Sequence, residues 1–146
     1  MMQKLLKFFV IALVMLITFA CGEKSTTNVG STELQTYNLT AMSSGQIVGD
    51  TNNALEWEEA YMLGEDFSFE KVRVRDGETI TASGNYERKA MDDGEYLILN
   101  YEKAHPLIGN CSGDYTETLR IVDETKLQGT WIACDGPALT YTLKVN

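Results

Sequence analysis

The chain predicts an all-β domain, an antiparallel up-and-down meander of about eight strands that closes into a barrel or half-barrel. Three observations carry this. From Glu33 onward the apolar residues recur with period two, and no helical stripe is sustained over a dozen residues. Turn formers punctuate the pattern every eight to twelve residues or so, which describes either a sandwich or a barrel. The links are of hairpin length, which favours a meander in which each strand pairs with the next.

Leu34 to Ala41 reads as the first strand, followed by the turn-rich Ser43-Ser44-Gly45 and Gly49-Asp50-Thr51-Asn52-Asn53. Glu56 to Leu63 is the second, with Trp57, Tyr61 and Leu63 on one face, and Gly64-Glu65-Asp66 turns it into Phe67 to Arg75. There Phe67 and Phe69 have one parity and Val72 and Val74 the other, so a bulge near Glu70-Lys71, or a strand covered on both sides, is expected. Asp76-Gly77 is a hairpin signal. After it Ile80, Ala82, Gly84 and Tyr86 alternate with Thr79, Thr81, Ser83 and Asn85, as a half-buried antiparallel strand requires. Asp92-Asp93-Gly94 opens Glu95 to Tyr101, whose Tyr96, Leu97, Ile98 and Leu99 are apolar on both faces. Ala104 to Asp114 is the longest loop of the domain body; Tyr115 to Val122 and Leu127 to Cys134 then form a hairpin across Asp123 to Lys126. Asp135-Gly136-Pro137 leads into Leu139, Tyr141, Leu143 and Val145, which alternate with Thr140, Thr142 and Lys144.

The first 21 residues have a different character. Lys4 and Lys7 precede an apolar run from Phe8 to Ala20, interrupted only by Thr18, and the run ends on Cys21. A basic start, a short apolar run and a small residue before cysteine make a bacterial lipoprotein signal over residues 1–20, shorter than a membrane span with its flanks. Acyl chains of the palmitate type on Cys21 would then hold the protein stably to a membrane, since two or more chains suffice. Thr18 and Phe19 depart from the usual lipobox, in which Leu is common three places before the cysteine. Gly22 to Ser31, polar and aperiodic, reads as a flexible tether, so that residues 21–32 link the anchor to a domain over residues 33–146. The expected location is the bacterial cell envelope, and Gly22 after the cysteine is compatible with the outer membrane.

With Cys21 assigned to lipid, Cys111 and Cys134 remain as an even pair in an exported chain, and a disulfide between them is expected. The alternatives are two reduced buried thiols or half a metal site; there is no CxxC, and the only histidine, His105, stands before Pro106 in the long loop. The expectation is therefore no metal and no cofactor. Without residues 1–20 the chain keeps 10 basic against 21 acidic side chains, a net charge of −11, which excludes nucleic acid as a natural partner. The acidic residues Glu56, Glu58, Glu59, Glu65 and Asp66 read as solvated surface, with Glu56 and Glu58 sharing an outward face. No serine motif surrounds His105, so the chain predicts no enzyme.

The aromatic residues are numerous. In a sheet that closes, inward aromatics either fill the core or line a cavity for an apolar ligand, and the candidates are Trp57, Tyr61, Phe69, Tyr86, Tyr96 and Trp131. Leu127-Gln128-Gly129-Thr130-Trp131, Cys134-Asp135-Gly136-Pro137 and the spacing of Trp57, Phe67, Phe69, Gly84, Tyr86 and Leu97 resemble small bacterial lipocalin-like lipoproteins over roughly Leu34 to Val145. Lipocalins proper carry Gly-x-Trp on the first strand, whereas here Tyr37 lies in that region and Gly129-Thr130-Trp131 comes late. The resemblance implies an up-and-down barrel that binds a small hydrophobic molecule and contributes no catalytic residues. A module for protein contacts in the envelope, through a sheet edge or the acidic face, is the alternative, and a hydrolase the third.

Overall fold

The computed structural model describes residues 34–43 and 54–145; the signal, Cys21 and the tether lie outside the described residues. Eight strands form a closed antiparallel barrel in strict sequence order: β1 (Gln35–Ser43), β2 (Glu58–Leu63), β3 (Ser68–Arg75), β4 (Glu78–Met91), β5 (Gly94–Tyr101), β6 (Thr116–Asp123), β7 (Lys126–Gly129) and β8 (Ala138–Leu143). The barrel closes where β1 pairs with β8, with Leu39 opposite Tyr141. The expected all-β meander is therefore the fold.

Local chemistry sets the turns. Arg75 pairs with Glu78 across Asp76 and Gly77, both at positive φ (53° and 80°), the primed two-residue hairpin that Asp-Gly favours. The Asp123 carboxylate accepts bonds from the Thr125 amide and hydroxyl, both at 2.8 Å, and so shapes the β6–β7 turn. On β4 the inward row is Ile80, Ala82, Gly84 and Tyr86, as its alternation demands. Gly84 has a steric reason to lack a side chain: a Cβ there would stand 2.0 Å from the Asn100 carbonyl oxygen, because β4 and β5 approach closely at this corner.

Two expectations need correction. No bulge interrupts β3, whose ladders run without slip from Leu63↔Phe69 to Glu58↔Val74 on one side and from Ser68↔Asn85 to Arg75↔Glu78 on the other. Its inward row is Phe69, Lys71 and Arg73, so the parity change read from the valines is a change in which face is apolar, not in register. The second correction concerns β7, which stops at Gly129. Trp131–Cys134 instead winds into a 3-10 helix that ends on Asp135 in the left-handed region, after Thr130 has bonded the Thr118 carbonyl through both its amide (3.3 Å) and its hydroxyl (2.9 Å).

The two ends of the barrel differ. At one end the long loop after β5 folds inward, and Leu107 is buried among the core residues. Cys111 on this loop is bonded to Cys134 at the end of the 3-10 helix, with Cα atoms 5.6 Å apart, so the expected disulfide fastens the plug to the segment between β7 and β8. The other end, where β1 begins, β2 turns into β3, and β8 finishes, carries no such plug among the described residues. The bridge spans a sequence separation of 23, for which loop closure gives on the order of 3 kcal/mol. Urea unfolding with and without a thiol reductant should therefore show a loss of about that size, and a Cys111→Ser, Cys134→Ser double variant should show the same loss and no further response to reductant.

Candidate functional site

The barrel interior at its plugged end is charged. Glu59 on β2, Lys71 on β3 and Glu117 on β6 are all buried, and each occupies the inward parity of its strand: Glu59 two residues before Tyr61, Lys71 two after Phe69, Glu117 two before Leu119. Lys71 Nζ donates to Glu117 Oε1 (3.0 Å) and to the Leu107 carbonyl (2.7 Å), and lies 3.2 Å from Glu59 Oε1. With a further bond to Glu117 Oε2 at 3.1 Å, these contacts engage the whole donor capacity of an ammonium group. Glu59 also accepts from the Tyr141 hydroxyl (2.6 Å), from Trp57 Nε1 (3.1 Å) and from Arg73 Nε. Glu117 accepts from the Tyr101 hydroxyl and from the Gly109 amide (3.2 Å). Two cations thus balance two carboxylates, and the plug loop contributes a carbonyl and an amide to the same network.

Electrostatics follow from this geometry. Burial opposes ionisation of Glu59, but Lys71, the Tyr141 hydroxyl and Arg73 outweigh it together, and its carboxyl sits below the usual value. Burial above all, reinforced by the neighbouring carboxylates, drives the phenols of Tyr61, Tyr101 and Tyr141 upward, so they stay neutral, and those of Tyr101 and Tyr141 donate to Glu117 and Glu59. The Tyr61 ring lies edge-on to Tyr141 with centroids 4.8 Å apart, and Lys71 Nζ stands 4.8 Å from its centroid. Its hydroxyl makes no hydrogen bond with the described residues.

A buried carboxylate pair is thus present, although neither Glu59 nor Glu117 stands out in the sequence as anything but surface charge. Chemically it is a closed set: each carboxylate meets a cation and two or more further donors, and both side chains are shielded from solvent. Acid–base work needs a carboxyl within reach of a substrate proton, and this arrangement spends its lone pairs on internal partners. Among the described residues, no three His, Cys, Asp or Glu side chains are grouped so as to hold a metal ion.

The six aromatic candidates do not converge on one cavity. Tyr61 and Phe69 are packed in the core, Phe69 edge-on to Tyr101 with centroids 4.9 Å apart. Trp57 lies at the plugged end under the Arg73 guanidinium, 4.5 Å from ring to charge. Trp131 is on the 3-10 helix at that same end, its ring so close to Gly136 that a Cβ there would come within 2.4 Å of it. Tyr96 is on the outward parity of β5 and donates to Asp93 at 2.8 Å. Tyr86 alone of the six borders the open end, where its hydroxyl donates to the Gly64 carbonyl at 2.9 Å. There, Leu34, Leu63, Tyr86, Leu143 and Val145, with Glu65 and Lys144, line a groove of about 480 Å³ open to solvent. The chain matches no protein-family model, no curated protein and no solved structure.

Two measurements follow from the charged interior. A Lys71→Met variant keeps the volume but leaves Glu117 without a cation, and chemical denaturation should show a loss of about 3–5 kcal/mol. The Glu59 carboxyl has a lowered folded-state value, so its contribution to stability is complete above its ordinary value of 4.5 and is lost as pH falls through the folded one. The raised phenols of Tyr61, Tyr101 and Tyr141 act at the other limb: their contribution is complete below 10 and is lost as pH rises above it. Phenolate absorbance should therefore show these three of the seven tyrosines ionising only as the barrel unfolds in alkali, and Glu59→Gln should flatten the acid limb of the stability curve.

Proposed function

We propose that this protein is a lipid-anchored lipoprotein of the bacterial envelope whose barrel is a non-catalytic, lipocalin-like module binding a small apolar ligand at its open end. The observation that carries the reading is the asymmetry of the barrel. One end is plugged and its interior filled by the Lys71 network, while the other presents the groove bounded by Leu63, Tyr86 and Leu143, of a volume ordinary for a small-molecule site. Apolar walls with Glu65 and Lys144 at the rim suit an aliphatic or aromatic body with a polar end left in water. The ligand on this reading sits in the mouth and not in a deep calyx, because Tyr61, Tyr141, Leu99 and Leu119 occupy the barrel centre with no exposed surface. The signal-like residues 1–20 and Cys21 support the anchor, and Gly22 after the cysteine is compatible with the outer membrane.

A hydrophobic fluorescent probe such as N-phenyl-1-naphthylamine tests this directly. Purified protein should bind it, and Leu143→Asp or Tyr86→Ala should weaken binding at least tenfold with the fold intact by circular dichroism. Trp57 and Trp131, expected from the sequence to line a cavity, lie at the plugged end, so their replacement by Phe should leave probe binding unchanged. Failure to bind across a panel of fatty acids and phospholipids, or unchanged affinity in both variants, would sink the proposal.

A further inference from the structure

The large apolar side chains that remain exposed are not scattered evenly over the barrel. Among the described residues, Leu34, Phe67, Met91, Val122 and Val145 belong to strand ends or turns at the open end, and Leu55, Tyr115 and Ile132 to the plugged end. Phe67 is the most telling of them. It is 59% exposed, and its backbone is held at φ 63°, a region that costs a bulky residue on the order of 1–2 kcal/mol. Its ring leans on Tyr86, centroids 5.7 Å apart, at the edge of the groove. The strained turn thus holds an aromatic ring out at the rim rather than folding it into the core.

The chain also enters the barrel at this end. Leu34, on the groove's rim, follows Cys21 by 13 residues, a reach of at most about 45 Å when extended. A link of that length lets this rim reach the surface that holds Cys21. The rim is mixed in charge with acid in excess: Glu65, Asp66, Asp92, Asp93, Asp123 and Glu124 stand there against Arg88, Lys89, Lys126 and Lys144. Such a rim is repelled by anionic headgroups and tolerates zwitterionic ones.

We infer that the open end of the barrel seats on a zwitterionic phospholipid surface, with Leu34, Phe67 and Val145 in the headgroup region, the groove facing lipid and the disulfide-bound plug facing away. The inference rests on the reading of Cys21 as the membrane anchor, and it adds an orientation to that reading. It also names the source of the apolar ligand, which on this geometry comes from the bilayer itself.

Depth-dependent quenching tests it. The full chain is expressed, reconstituted into phosphatidylcholine vesicles with brominated acyl chains, and compared with Phe67→Trp and Val145→Trp variants; Val145 lies beyond β8, so its substitution leaves the ladder untouched. The added emission of either variant should fall at least twofold relative to unbrominated vesicles, while the native Trp57 and Trp131 emission, from the far end, does not change. Unquenched added emission, or quenching of the native tryptophans, overturns the orientation. A blue shift without quenching, with a dimer in sedimentation, would show a second copy covering the rim and would overturn it too. Intact mass on the same sample reports Cys21 acylation separately: if Cys21 is unmodified the anchor reading fails, and flotation with the vesicles together with the quenching pattern still decides whether the rim meets lipid.

Discussion

One ammonium group organises this barrel. Lys71 is wholly buried, and removing a charge from water costs several kcal/mol even after relaxation, so the fold tolerates it only where every donor is met and counter-charge is close. Meeting that condition requires Glu59 from β2, Glu117 from β6 and a carbonyl from the loop after β5 to arrive at one point. A slip of one residue in β3 would turn Lys71 outward and leave both carboxylates alone in the interior. Register, closure and loop position are therefore tied together by a single electrostatic requirement, where a purely apolar interior would be more forgiving.

The same requirement explains why one end of the barrel is closed by the loop after β5. A network that includes the backbone of Leu107 and Gly109 keeps the long loop seated, and the Cys111–Cys134 bond makes departure of the loop also a matter of chain connectivity. Apolar side chains fill the middle layers, and the groove bounded by Leu63, Tyr86 and Leu143 lies at the unplugged end. Charge and covalent closure at one end, apolar surface and the chain's entry at the other, give a small symmetric-looking fold a clear polarity.

Much of this architecture can be read from residue order, and the reasons for the exceptions are physical. The β4 alternation and Asp76-Gly77 are local signals, so strand and hairpin follow from a few neighbouring residues. The cysteine pair follows from counting once Cys21 is set aside. Glu59 and Lys71 escape because a charged side chain at an inward parity looks like any surface charge until its partners, 46 residues away in the case of Glu117, are known. Glu59 is further disguised by its exposed neighbours Glu56 and Glu58. The end of β7 escapes because Leu127 to Cys134 keeps a plausible strand pattern, while Thr130 finds bonds on β6 that divert the chain into a helical turn. The plug escapes for a similar reason, since a loop's inward course is decided by what it meets.

The meander has one contact that local pairing cannot supply. Seven of its eight strand pairs join neighbours along the chain, but β1 must find β8, and Leu39 waits for Tyr141. Until the last strand is available, β1 and β7 each present a raw edge, and Glu59 lacks the Tyr141 hydroxyl that helps hold its charge. As the chain emerges from its N-terminal side, the barrel is thus an open, adhesive sheet for nearly its whole length and becomes a finished molecule in a single late event. Any factor that shields the sheet in that interval has two edges to cover, those of β1 and β7.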